Sequence, residues 1–243
     1  MKFLKLPALL LVAILTPAAM ASAAVDHSLW DRVLKAAVKG QLVDYKAISH
    51  SHLADLNNYL DSLATIDAAK LPRDEQLAFY INLYNATMVK AVLDSRAQSP
   101  AWRPDADGFA VFKKPIVRTA AGVITLDHLE NQLIRPTFNE PRVHVALVCG
   151  AVSCPPLSSH AYTGANLETT LADNRRKFLT DGSRNQFDTA GKTARLSRLF
   201  DWFAADFGGA ARVPSYIEAN GGPKITGSKI VFLDYDWALN EHK

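Results

Sequence analysis

Apolar side chains return every three or four positions between residues 74 and 95: Leu77, Ile81, Tyr84, Met88 and Ala91 share one face of DEQLAFYINLYNATMVKAVLDS, with Pro72 just before it. This spacing predicts the clearest helix of the chain and places it at the centre of the core. The same period predicts shorter helices over Leu29 to Val38, over Leu53 to Ala64 with Leu53, Leu56, Leu60 and Leu63 on one side, and over Leu167 to Leu179. SRLFDWFAADFGG reads as another, with Leu199, Phe203 and Phe207 along a face and Gly208 ending it. VHVALV, residues 143–148, is short, apolar, β-branched and bounded by polar turns, and reads as the best strand. FKKPIVRTAAGVITL reads as two short strands around an Ala-Gly turn, GQLVDYKAI as a strand, and GSKIVFLDYDWALN, after a last helix, as the closing strand. Ala101 to Ala110 is a loop; Asp127 caps the next helix, Glu130 completes a capping box, and Arg135-Pro136 closes that helix. Helices separated by a few strands, with weak βαβ alternation, predict an α+β fold: one compact domain whose central helix packs on a small, mostly antiparallel sheet.

The first residues change where this domain is expected to work. Lys2 and Lys5 precede an apolar stretch too short to span a bilayer, and the small residues Ala21, Ser22 and Ala23 follow. That pattern predicts a secretory signal peptide over residues 1–23, cleaved after Ala23 or Ala24, and a periplasmic or secreted protein. No later run approaches the roughly 20 apolar residues of a membrane helix. Both lysines leave with the signal and no acid does, so 27 basic against 24 acidic residues becomes 25 against 24. Near-neutral charge argues against nucleic acid or an anionic membrane as partner, and a monomer without a cofactor is expected.

Both cysteines fall in VHVALVCGAVSCPPL, where the apolar run breaks into Gly, Ser and Pro. In an exported chain Cys149 and Cys154 most simply form a disulfide, which a turn at Gly150-Ala151 permits. Alternatively one is a nucleophile at a strand end, where backbone N–H groups converge on a substrate carbonyl. Thiol chemistry also needs a base. His144 and Cys149, five positions apart in one strand, would point to opposite faces at roughly 16 Å, whereas Cys154 can fold back towards His144. Glu130 would orient that histidine, with an ordinary role in the capping box as the alternative. The spacing of His144, Cys149, Cys154 and His160 is looser than zinc knuckles, so no metal site is expected.

The stretches LVDYKAI, LAFYINLYNATMVKAVL, ITLDHLENQLIRP, VHVALVCGAVSCPPL, LSRLFDWFAADFG and IVFLDYDWALN follow one another from about residue 42 to 240. Together they resemble the DUF547 family, a domain of unknown function. The resemblance implies a bacterial exported member, a class with no agreed activity; plant members carry the domain beside a coiled-coil segment. The plant loop is similar to SCGxWSSP, which matches Cys149 and puts serine at Cys154, usually without the His144 equivalent. The resemblance thus implies that Cys149 is more than half of a disulfide.

Asn82 and Asn85 lie one turn apart on the central helix, either as a structural network or as groups that orient the histidine or donate to an oxyanion. Arg135 serves a helix C-terminus or binds a substrate carboxylate. Trp202, Phe203 and Phe207 read as core packing, while Asp234, Tyr235, Asp236 and Trp237 could line a groove. Two functions compete. One is a thiol-dependent hydrolase or acyl transferase acting on peptide or amide bonds of an unknown envelope substrate. The other is a non-enzymatic envelope binding domain with a plain disulfide; a thiol-disulfide exchange protein is more distant, because the spacing is C-x4-C.

Overall fold

A computed structural model describes residues 24–243; the signal peptide expected over 1–23 lies outside the described residues. The central helix runs Arg73–Gln98, with Pro72 at its N-cap, and is buried almost all round from Glu75 to Val92. A helix apolar on every side must be covered on every side. Its cover comes from the helix Leu53–Leu63, the hairpin strand Pro115–Thr119, the wide turn Leu129–Ile134 and the helix Leu167–Thr180. Leu77, Ile81, Tyr84, Met88 and Ala91 all belong to the resulting core. In the Leu53–Leu63 helix the buried face is Leu56, Tyr59 and Leu63, while Leu53 is exposed.

The fold is α+β, and among the described residues the strands form three small sheets rather than one. Val38–Lys39 pairs with Leu42–Val43, and Pro115–Thr119 with Gly122–Thr125, the predicted hairpin. Gln186–Asp188 pairs antiparallel with Thr193–Leu196, which pairs parallel with Lys229–Phe232. This last sheet covers a second apolar core around Phe178, Phe200, Phe207 and Ile217. The closing strand is therefore only Lys229–Phe232; the rest of IVFLDYDWALN leaves the sheet to pair with the cysteine loop. Among the described residues no helix is long and apolar enough to cross a membrane.

Three local expectations fail for identifiable reasons. VHVALV is not a strand: Pro141–Val145 is a tight 3-10 turn, opened by the Glu140 side chain accepting from the Arg142 N–H at 3.0 Å. Without a neighbouring strand, the backbone beyond the turn is satisfied by Asn85, whose amide donates to the Ala146 carbonyl and whose oxygen accepts from the Val148 N–H, both at 2.9 Å. The capping box of Asp127 and Glu130 is also absent. Thr125 caps the helix by accepting from the His128 N–H at 2.9 Å, and the chain then widens into a π-type turn, Leu129–Ile134. Arg135-Pro136 does not close it either. The helical path continues to Phe138, with proline tolerated in a first turn, and ends at Asn139, whose φ is 47°.

Candidate active site

The cysteine loop is built against the C-terminal segment. Gly150, at φ 82°, takes the left-handed conformation that turns the chain back after Cys149. The returning residues pair antiparallel with residues 236–240: the Val152 N–H donates to the Ala238 carbonyl at 2.8 Å, and the Asn240 N–H to the Gly150 carbonyl at 2.9 Å. Buried Arg184 holds the far side, donating through Nε to the Cys154 carbonyl at 3.1 Å and through Nη2 to the Val152 carbonyl at 2.9 Å. This pairing brings the Tyr235 hydroxyl to 3.3 Å from Cys149 Sγ.

Because residues 143–148 turn rather than extend, His144 and Cys149 do not diverge as a strand would require. Glu130, His144, Cys149 and Cys154 line a single cavity of about 270 Å³. Tyr84 from the central helix lies beside Glu130, and Phe109, Phe112, Trp202, Phe203, Tyr235 and Trp237 supply the aromatic wall. Four residues that the sequence proposed for catalysis thus share one cleft.

The orienter of His144 is Asp206, not Glu130. His144 Nε2 lies 2.7 Å from Asp206 Oδ2, and Arg135 holds the same carboxylate with Nε at 2.6 Å from Oδ2 and Nη2 at 3.0 Å from Oδ1. With Nε2–H donating to the Asp206 carboxylate, Nδ1 is the unprotonated ring nitrogen of the neutral imidazole. The ring stacks on Phe203 at 3.9 Å between centroids. Burial pushes the His144 pKa down to about 4, against the opposing pull of the Asp206 carboxylate, so the imidazole is neutral above pH 5. Asp206 is itself held below the ordinary carboxylate range: burial raises it, but the bonds from Arg135 and His144 outweigh that.

Glu130 behaves in the opposite sense. Its place in the wide turn sinks the carboxyl against Tyr84, and burial raises its pKa to about 7, with the Tyr84 hydroxyl and Arg135 pulling it back. The two thiols separate as well. Cys154 is 4% exposed, and burial pushes it well above the usual thiol range. Cys149 is only partly buried; burial would raise it too, but the Cys154 side chain, the Tyr235 hydroxyl and the Ala151 backbone bring it below its ordinary value. Cys149 is therefore the more acidic and the more accessible thiol.

Both cysteines are free thiols, with the Cys149 N–H donating to Cys154 Sγ at 2.8 Å; the disulfide alternative is not formed. No hydrogen bond joins His144 to either sulfur among the described residues. Asn82 and Asn85 stay outside the cavity lining. Asn82 grips the Tyr162 backbone, donating at 2.7 Å and accepting at 3.0 Å, as Asn85 grips residues 146 and 148. Arg135 is not in the cavity lining; it braces the site from behind, through Asp206 and the Asn131 side chain, with its guanidinium 5.0 Å over the Phe203 ring. His160 is exposed and bonds Ser159, and among the described residues no three metal-ligating side chains converge.

Sequence reasoning missed Asp206, Arg184 and Tyr84, and placed Trp202 in the core although it is 47% exposed at the cleft mouth. A signal for Asp206 existed. An acid set between Phe203 and Phe207 interrupts an otherwise apolar pattern, which marks it for a specific polar partner; the helix itself ends at Trp202 and a 3-10 turn, Ala204–Phe207, carries Asp206.

The family described as "Protein of unknown function, DUF547" has a model that matches residues 68–179. That range holds Glu130, His144, Cys149 and Cys154, whereas Asp206, Tyr235 and Trp202 lie beyond it. No curated protein and no solved structure matches the chain.

Proposed function

We propose that this protein is an exported thiol-dependent acyl-transfer enzyme, a hydrolase or transferase that cleaves peptide or amide bonds in the cell envelope, with Cys149 as nucleophile. One observation carries the reading: an acidified, accessible Cys149 shares its cleft with a neutral, carboxylate-oriented His144 and with a Glu130 that titrates near pH 7. Perturbed groups pushed in different directions within one cavity are what acid–base chemistry at neutral pH requires.

The roles follow from the protonation states. Cys149 thiolate attacks the acyl carbon, and the C–N bond breaks as Glu130 gives its proton to the departing amine. His144 Nδ1 then takes a proton from the incoming water or acceptor, whose oxygen or nitrogen attacks the thioester and releases Cys149 thiolate. That proton returns to Glu130, closing the cycle. The aromatic wall receives the apolar part of the acyl group and keeps bulk water from the thioester.

Intact-mass measurement during turnover of short fluorogenic peptide amides tests this. A transient acyl adduct on Cys149, lost in Cys149→Ser, is expected. Turnover unchanged by both Cys149→Ser and His144→Ala contradicts it.

A further inference from the structure

Glu75 is a buried carboxylate, 8% exposed, and among the described residues it meets no lysine or arginine. Each oxygen nonetheless accepts one backbone hydrogen bond: Oε1 from the Val25 N–H at 2.9 Å, and Oε2 from the Gly164 N–H at 2.6 Å. Gly164 permits that approach, since a Cβ there would sit 2.7 Å from Oε2. The nearest candidate cation is His27, whose Nε2 lies 3.9 Å from Oε1 and has no hydrogen-bond partner. Burial pushes the His27 pKa down, so it does not supply a charge at neutral pH. A buried carboxylate without a cation is expensive, and two neutral amides offset that only in part.

The missing charge has an obvious source one bond away. Val25 packs its side chain against the main core, while Ala24 is exposed, so the Ala24–Val25 bond lies where the chain emerges from the folded body. Ser22, Ala23 and Ala24 give small residues at the positions a leader peptidase reads, just as Ala21, Ser22 and Ala23 do one residue earlier.

We propose that the leader is removed between Ala24 and Val25, and that the α-ammonium so created is bound by Glu75, making Glu75 a receptor for the mature N-terminus. Hydrolysis by a leader peptidase consumes one water, breaks the amide, and leaves a carboxylate on Ala24 and an ammonium on Val25. The nitrogen that donated to Glu75 as an amide then donates as a cation, and the carboxylate gains its counter-charge without moving. Cleavage one residue earlier would put the ammonium on Ala24, outside the Glu75 contact. The inference is independent of the acyl-transfer reading, because no group of the cleft takes part.

The test uses the full chain exported from a bacterial host and the mass of its mature form. A product starting at Val25 is expected; one starting at Ala24 overturns the proposal. NMR titration of the mature α-amine then reads the pairing without any variant. Bound to Glu75, it titrates about one unit or more above the usual 7.7–8.0 of an N-terminus, whereas an ordinary value overturns the proposal. Glu75→Gln returns the amine to the ordinary range and speeds its acylation by acetyl N-hydroxysuccinimide at pH 6.5 by roughly tenfold. Equal rates in the two proteins count against it.

Discussion

His144 and His27 are buried alike, at 3% and 5% exposure, and each bonds an oxygen through one ring nitrogen, Asp206 at 2.7 Å and the Tyr59 hydroxyl at 2.6 Å. Burial lowers the pKa of both. They differ in what lies beyond the ring. His144 lines a cavity with two thiols and Glu130, and its partner is a carboxylate fixed by Arg135. His27 lies against Tyr59 and Asn82 with a neutral phenol as its hydrogen-bond partner, and the Glu75 carboxylate stands 3.9 Å from its other ring nitrogen. Burial and a shifted pKa therefore do not mark a catalytic histidine by themselves; a shared cavity with a nucleophile does.

If the shared cavity is what separates the two histidines, removing the nucleophile has the largest effect. Cys149→Ser should lower turnover of any identified substrate by about a thousandfold or more while the melting temperature stays within about 2 °C. Steady-state kinetics beside a thermal melt reads both.

Next comes the exchange between the two histidines. His144→Gln should cost roughly 10²- to 10⁴-fold in kcat, as loss of a general base does. His27→Gln should leave kcat within about threefold but cost about 1–3 kcal/mol of stability, because the buried Tyr59 hydroxyl loses its partner. Equal kinetic losses in the two variants would erase the distinction.

A pH series sharpens it further. Glu130 has a folded pKa of about 7, above its unfolded value of 4.5, so between those limits the native state holds a proton that the unfolded state has lost. Stability from this residue is complete below pH 4.5 and declines as pH rises to 7, by on the order of 3 kcal/mol. His144, depressed to about 4 from 6.5, works in reverse: it destabilises as pH falls through that interval. Urea melts from pH 4 to 8 should show Glu130→Gln losing the first slope and His144→Gln the second.

The smallest effect belongs to the rim. Trp202 is 47% exposed and stacks near Trp237 at 5.9 Å. Trp202→Ala should raise KM by a few fold, with kcat within about twofold and stability within about 0.5 kcal/mol.

Much of this arrangement was legible in the chain because its signals are local. The three- and four-residue spacing of Leu77 to Ala91 is written by one helix, and the Ala-Gly turn by one hairpin. Cys149 followed by a glycine announced a sharp turn, and Gly150 makes it. The strand assigned to VHVALV failed because an apolar β-branched run says only that a segment is buried; here Asn85 takes the place of a neighbouring strand. Glu130 read as a cap because Asp127 and Glu130 have the right spacing, and nothing local reveals that Thr125 starts the helix earlier. Tyr235 and Trp237 line the cleft as the closing segment suggested, but the partners of Asp206, Tyr235 and Arg184 were out of reach for another reason. These three residues meet His144, Cys149 and the cysteine loop across 62, 86 and about 30 residues of sequence, through contacts that only the folded chain creates.

Whether Cys149 is the activated thiol is read from the alkylation rate of each cysteine by iodoacetamide between pH 5 and 9, mapped by peptide mass. Cys149 is expected to react first, with a midpoint below that of an ordinary thiol, with Cys154 slower by about a hundredfold and Tyr235→Phe moving the Cys149 midpoint upward. If Cys154 reacts first, or if Cys149 follows an ordinary thiol curve centred near 8.5, the cleft holds no activated nucleophile at residue 149.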